Sequence, residues 1–303
     1  MNFGEDLMVA IAYGDAFGLP FEKSAFVPNR KVEGLMPVMQ NPFLGRLPKG
    51  TWSDDTHLSL ATALSLIWKE FDIDHIARCH VQALNLTERA ENTHDLLSPA
   101  FVAGTGKNGW GKGTTTAVRK LRDGVSPAES GNTESLGNGV LMKIAPLVYW
   151  WITKKTEISM MLEQIEAFTR MTHDNEDSFL CSRWYAEILW SLKNGWDPLS
   201  QIYDIVYENE TELLEATPRR GFTASETLAV ALYYFLQEPR FPDNIKLAVR
   251  YGGDADSICS VLGVMSVFNG TYQEPLDAQE LYDYWRLRYV GRRLDESLGL
   301  LPK

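Results

Sequence analysis

Gly50-Thr51-Trp52-Ser53-Asp54-Asp55-Thr56 decides how the chain is read, together with a distant counterpart, Tyr251-Gly252-Gly253-Asp254-Ala255-Asp256-Ser257. Each stretch sets two aspartates and hydroxyl groups immediately before an apolar run. After Asp55, apolar residues fall at Leu58, Ala61, Leu64, Ile67 and Trp68, the spacing of one helical face. After Ser257, the run Ile258–Phe268 is apolar on most sides, with Cys259, Ser260, Gly263 and Ser266 supplying small faces. Such a helix is buried, so its start would carry Asp254 and Asp256 into the interior. Capping explains either motif alone, because Ser and Asp accept from free N–H groups and carboxylates suit the positive helix end. The pair asks for more. Burying four carboxylates side by side costs several kcal/mol each unless a cation compensates them. Carboxylate and hydroxyl oxygens, without thiolates or clustered imidazoles, suit a hard divalent ion, Mg²⁺ or Mn²⁺, rather than Zn²⁺. Four carboxylates could hold two such ions roughly 3.5–4 Å apart.

The 303 residues are 45% hydrophobic with a net charge of −11. The length supports one large domain or two small ones. The acidic balance argues against nucleic acid as a partner, since phosphate backbones bind basic patches. Three widely spaced cysteines, Cys79, Cys181 and Cys259, fit a reducing compartment and neither a disulfide framework nor a zinc knuckle. Met1–Gly14 lacks the pattern of a signal peptide, and no stretch reaches about 18 uninterrupted apolar residues. The expectation is a soluble, cytoplasmic protein.

Along the chain, Glu5–Ala16 reads as a helix that Gly14, Gly18 and Pro20 break, leaving Asp15 and Glu22 on a turn. Asp15 reads as a cap or turn residue. Residues 23–50, with Pro28, Pro37, Pro42 and Pro48, read as a long irregular loop. Further helices are expected at Asp74–Glu88, after the glycine-rich stretch 104–114, and from Gly137 to Trp151. Others are expected at Ile158–Thr169, Leu199–Glu208, Ala224–Leu236 and Asp277–Arg293, with another apolar run at Phe179–Leu192, and Arg240–Ala248 leads directly into the second aspartate motif. The glycine-rich turn at 104–114, with Gly109, Gly111 and Gly113, enters a helix and exposes N–H groups that can hold a phosphate, and a second glycine turn at Gly137 and Gly139 opens an apolar helix. His173 reads as a cap, a satisfied polar residue or a catalyst. Few alternating patterns and no repeat or linker occur. The expectation is an all-α fold of roughly ten helices in a single domain over 1–303, because both aspartate motifs must share one site.

These residues resemble the ADP-ribosylglycohydrolase family, which includes dinitrogenase reductase-activating glycohydrolase and ADP-ribosylarginine hydrolases. The resemblance runs from Gly14 to about Gly270 and rests on ordered signatures: Gly14-Asp15-Ala16-x-Gly18 with Glu22, Ser53-Asp54-Asp55-Thr56, Gly109-x-Gly111-x-Gly113, Gly137-Asn138-Gly139-x-x-Met142, Thr172-His173, and Gly252-Gly253-Asp254-x-Asp256-Ser257. It implies an all-α fold with a binuclear Mg²⁺ or Mn²⁺ centre held by Ser53, Asp54, Asp55, Asp254, Asp256 and Ser257. It also implies that Gly109, Gly111 and Gly113 take a diphosphate, that Gly137, Asn138, Gly139 and Met142 line the ribose, and that His173 orients the distal part of the ligand. Glu22 or Asp55 would be the base, with Lys112 or Lys143 helping to neutralise the diphosphate. The substrate would be an ADP-ribosylated protein and the product ADP-ribose. Serine at both 53 and 257 resembles the arginine-directed branch. The usual His-Pro after the Thr-His is absent, and Asn175-Glu176 stands nearby.

Two alternatives keep the fold. One is a non-catalytic ADP-ribose-binding relative; the other is an immunity protein that neutralises an ADP-ribosyltransferase toxin by hydrolysis or by direct binding, with loop 23–50 as the candidate blocking arm. A phosphatase built on Asp254-x-Asp256 fails for lack of an apolar strand before the motif. An isoprenoid-synthase pattern fails because Leu58 stands where a third aspartate is needed.

Overall fold

A computed structural model describes residues 2–41, 44–89, 95–99, 109–196 and 207–302. The fold is all-α, as expected. Among the described residues there are twelve α-helices. These are α1 (Phe3–Gly18), α2 (Asp54–Trp68), α3 (Ile73–Glu88), α4 (Lys112–Arg122), α5 (Gly139–Lys154) and α6 (Ile158–Arg170). The others are α7 (Glu176–Lys193), α8 (Glu210–Ala216), α9 (Ala224–Gln237), α10 (Asp243–Ala248), α11 (Ala255–Phe268) and α12 (Tyr284–Ser297). No helix among the described residues is long and apolar enough to cross a membrane.

The centre of the molecule is α1 against α11, with α12 on another side of α1 and α2 beside them. Both central helices are buried almost all round, which is why their sequences lack a polar stripe. Glycine sets how closely they approach. A Cβ on Gly14 would lie 2.3 Å from the Cys259 carbonyl oxygen, and one on Gly18 would lie 2.2 Å from that of Ala255. Gly4 and Gly291 make the same kind of contact between α1 and α12. These glycines are therefore contact points within a continuous helix. The expected break at Gly14 does not occur, and Asp15 sits inside α1 rather than on a turn.

Pro146 lies inside α5 and has no N–H to donate to the Met142 carbonyl one turn earlier. The Ser59 hydroxyl of α2 donates to that carbonyl instead, at 2.6 Å. The proline is thus absorbed by a bond between α2 and α5. Residues 23–50 are not wholly irregular, since Val38–Asn41 (β1) and Gly45–Leu47 (β2) pair as an antiparallel hairpin. Val38 and Leu47 bury against Leu19 in a small apolar cluster of their own. The short helix α8 has no counterpart in the sequence reading. The helix expected at Leu199–Glu208 lies mostly outside the described residues, and its described end, Tyr207 and Glu208, is not helical.

Candidate active site

Four helices, α2, α4, α5 and α11, begin at one cavity of about 700 Å³, which the first residues of each line. Helix N-termini present unpaired N–H groups and the positive end of the macrodipole, so the cavity combines groups that favour anions with the carboxylates that line it. The volume suits a nucleotide-sized ligand.

The two aspartate motifs meet here, through Asp15. Both Asp15 oxygens accept from the Ser53 backbone N–H at 2.9 Å, and Oδ2 also accepts from the Thr56 N–H at 3.1 Å and its hydroxyl at 2.7 Å. Asp15, on α1, therefore caps α2. Ser53 makes no side-chain cap bond and turns its hydroxyl to Asp55 instead, at 3.5 Å. Ser257 donates to the same Asp55 oxygen, Oδ2, at 3.3 Å. Carboxylate oxygens of Asp15, Asp55 and Asp256 lie within 4.8 Å of one another, as do those of Glu22, Asp254 and Asp256. Asp256 belongs to both groups. Asp54 lines the cavity beside Gly109, where a Cβ would lie 2.8 Å from Asp54 Oδ1.

The electrostatics of this cluster are unfavourable as it stands. Burial and neighbouring carboxylates push Asp54 and Asp254 up to about 7, and Asp55 and Asp256 well above the carboxylate range. Burial lifts Asp15 to about 6 against the hydrogen bonds it accepts. Burial, then the charge of Asp256, raises Glu22 to about 8, against the pull of the Asn41 amide that donates to it at 2.6 Å. Asp55 Oδ1 and Asp256 Oδ1 are buried with no hydrogen-bond partner among the described residues. Orphaned acceptors of this kind are costly unless something outside the protein's donors meets them. An all-oxygen donor set with unused buried oxygens fits a hard divalent cation.

The glycine turns line the cavity. Gly109 and Gly111 lead into α4, and a Cβ on Gly113 would meet the Ser135 hydroxyl at 2.1 Å. The part of this loop at 104–108 lies outside the described residues. Gly137 and Gly139 flank Asn138 at the start of α5, close to the His173 ring. The Asn138 amide is committed within the protein: it donates to Asp254 Oδ2 at 2.8 Å, to Thr227 Oγ1 and to the Gly221 carbonyl. It steadies an acid as well as lining the cavity. Met142 and His173 also line it. Asn175 caps α7 and donates to the Ser135 carbonyl, tying that helix to the loop below His173. Lys112 stands exposed at the mouth, whereas Lys143 is fully buried and does not line the cavity. The expectation that Lys143 neutralises a diphosphate directly is therefore corrected.

Sequence reading missed Asp15 as part of the cluster and Asn41 as the partner of Glu22. Asp15 carried one signal, its place between glycines of the first signature. Asn41 carried none.

The profile of the ADP-ribosylglycohydrolase family matches residues 6–266. This chain belongs to the ADP-ribosylglycohydrolase family. It is 23% identical over 272 residues to the ADP-ribosylarginine hydrolase Tri1 of Pseudomonas putida (strain GB-1), covering 86% of this chain and 68% of that protein. An uncharacterized protein of Archaeoglobus fulgidus is 24% identical over 288 residues, covering 87% of this chain and 86% of the relative. In fold, the chain is similar to an ADP-ribosylglycohydrolase-related protein complex, with a TM-score of 0.71 at 21% identity over 98% of this chain and 99% of the other. An ADP-ribosylglycohydrolase of this fold supports removal of ADP-ribose as the general activity.

Proposed function

We propose that this ADP-ribosylglycohydrolase is a metal-dependent enzyme that removes ADP-ribose from modified protein side chains, with ADP-ribosyl-arginine as its substrate. The observation that carries this assignment is the sharing of Asp256 between two acid groups, one buried and one completed by half-buried Glu22, in the cavity where four helices start. The arginine linkage is supported by two of the relatives, from Pseudomonas putida and Serratia proteamaculans, which are named ADP-ribosylarginine hydrolases.

Ser53, Asp54, Asp55, Asp254, Asp256 and Ser257, joined by Asp15, would hold two Mg²⁺ or Mn²⁺ ions. Such ions, when bound, supply charge neutralisation, a grip on ribose hydroxyls and a lowered pKa for water. The chain's own groups do the rest. The N–H groups at the starts of α4 and α5 receive the diphosphate, with Lys112 at the mouth. Water adds to the anomeric carbon as the carbon–nitrogen bond to the guanidine breaks, through an oxocarbenium-like transition state. Glu22 takes the proton from that water, and the departing guanidine, a strong base, takes its proton from solvent. Asp55, whose Oδ2 already accepts from two hydroxyls, is assigned to the cation cage rather than to the base. Asn41 holds Glu22 toward the cluster. Hydrolysis is the activity retained; toxin neutralisation by direct blocking rests on no feature of the described residues.

The test compares peptides ADP-ribosylated on arginine, serine and cysteine by mass spectrometry, with Mg²⁺, with Zn²⁺ and after chelation. Release from arginine that requires Mg²⁺, with weak support by Zn²⁺, is expected. A preference for serine would overturn the linkage, and full turnover after chelation would overturn the metal dependence.

A further inference from the structure

Lys143 takes no direct part in hydrolysis, yet it is among the largest fully buried side chains of the protein. A buried ammonium is costly, and burial pulls this one down to about 7. Its Nζ donates to Thr172 Oγ1 at 2.9 Å and lies 4.6 Å from the centre of the Phe168 ring. Thr172 Oγ1 in turn lies 3.0 Å from His173 Nδ1. This small chain of polar groups runs from the core to the wall of the cavity.

Its direction follows from the donors. Lys143 Nζ is the donor to Thr172 Oγ1, the only role open to it in its ammonium form. Were His173 Nδ1 protonated as well, the buried Thr172 hydroxyl would receive two hydrogen bonds and give none, so its proton points at Nδ1, 3.0 Å away, and Nδ1 is the unprotonated nitrogen. Burial and the charge of Lys143 push His173 down to about 3, so the ring is neutral and carries a single proton. That proton sits on Nε2. Nε2 lies beside the ribose-lining turn, 3.7 Å from where a Cβ on Gly137 would stand and 3.6 Å from one on Gly139. The ring lines the cavity, and Nε2 has no hydrogen-bond partner among the described residues. The other imidazole that feels the lysine, His80, is also neutral and directs Nδ1 to the Ile76 carbonyl.

We propose that Lys143 and Thr172 are positioning residues that fix His173 as its Nε2–H tautomer, so that the ring offers a donor to an acceptor oxygen of bound ADP-ribose. The identity of the ligand rests on the proposed hydrolase function; the tautomer does not. Lys143 thus acts on the ligand at one remove, through a hydroxyl and an imidazole.

The experiment reads the two parts separately. Long-range proton–nitrogen spectra of the ¹⁵N-labelled, ligand-free chain report which ring nitrogen carries the proton, with His173→Gln identifying the signal. The unmodified chain and Thr172→Ser should show Nε2–H. Thr172→Val, which keeps shape and loses the hydroxyl, and Lys143→Met should show a mixture or Nδ1–H. ADP-ribose binding with Mg²⁺, measured by calorimetry, should weaken roughly five- to thirtyfold in Thr172→Val and Lys143→Met, the worth of one hydrogen bond. Thr172→Ser should bind within about twofold of the unmodified chain, since the hydroxyl is kept. An Nδ1–H signal in the unmodified chain overturns the proposal even if a variant fails to fold. So does a tautomer change in Thr172→Val without loss of affinity. Failure of the unmodified chain to bind ADP-ribose would sink the proposed hydrolase function, while the ligand-free spectrum still judges the tautomer.

Discussion

Asp256 is the residue on which the site turns, because it alone belongs to both groups of acids. Its carboxyl is raised by burial first and by Asp254 next, and its Oδ1 has no donor among the described residues. Replacing it with asparagine removes a charge that opposes its neighbours in the metal-free protein but completes the cage in the loaded one. Asp256→Asn should therefore fold, with a melting temperature after chelation equal to or above that of the unmodified chain. Its turnover should drop at least about a hundredfold, since cation stabilisation of developing charge is worth several kcal/mol. Thermal melting and the arginine-linkage assay check both halves. Retained turnover would show that the acids are structural. Asp256 was plain in the sequence, because a run too apolar to face water must carry the two carboxylates at its start inside, where only a cation makes them tolerable. Asp15 was concealed. A cap is recognisable in sequence when it sits next to the helix it caps, and Asp15 caps α2 from within α1.

The α1–α11 pair shows the same limit of local reading among helices. Glycine between apolar residues signals a break when only the neighbouring chain is considered. Gly14 and Gly18 lie four residues apart on one face and let α1 rest on the backbone of α11. That contact holds Asp15 against Asp256. A methyl group at position 18 would press on the Ala255 carbonyl and Asp256 backbone, which begin α11. Gly18→Ala should thus cost about 1–3 kcal/mol through overpacking. It should also lower turnover more than a substitution of equal stability cost elsewhere in α1, because the strain falls on the acid-bearing turn. Melting curves and kinetics of Gly18→Ala beside a core truncation such as Val9→Ala distinguish the two effects. Most helices were legible within a few residues from their apolar spacing; α2, α3, α6 and α9 carry it clearly. The 38–47 hairpin was not, because two short strands among prolines offer no alternation to read. Its buried residues, Val38 and Leu47, pack against Leu19, outside the strands.

Over the whole molecule, the buried acids predict a pH dependence opposite in sign to ordinary acid unfolding. Unfolding returns Asp54 and Asp254 from about 7, and Glu22 from about 8, to ordinary values of 3.8 and 4.5. Between those limits the metal-free folded chain binds more protons than the unfolded one, so stability falls as pH rises. The contribution of these groups is complete below about pH 4 and is lost through about pH 7 to 8. A divalent cation reverses the local field and competes with the protons. At a hundred times its dissociation constant it adds about 2.7 kcal/mol to folding, and the gain grows with pH as the acids ionise. In the presence of chelator, the melting temperature should be lower at pH 8 than at pH 5.5. Mg²⁺ should raise it by more degrees at pH 8 than at pH 5.5. The net charge of −11 pushes in the same direction, through general repulsion that salt screens. Asp256→Asn separates the two causes, because it changes the surface little and the cluster greatly. A metal-free pH slope that survives Asp256→Asn unchanged but disappears in high salt would assign the effect to overall charge. A slope that shrinks in the variant and persists in salt would locate it in the cage.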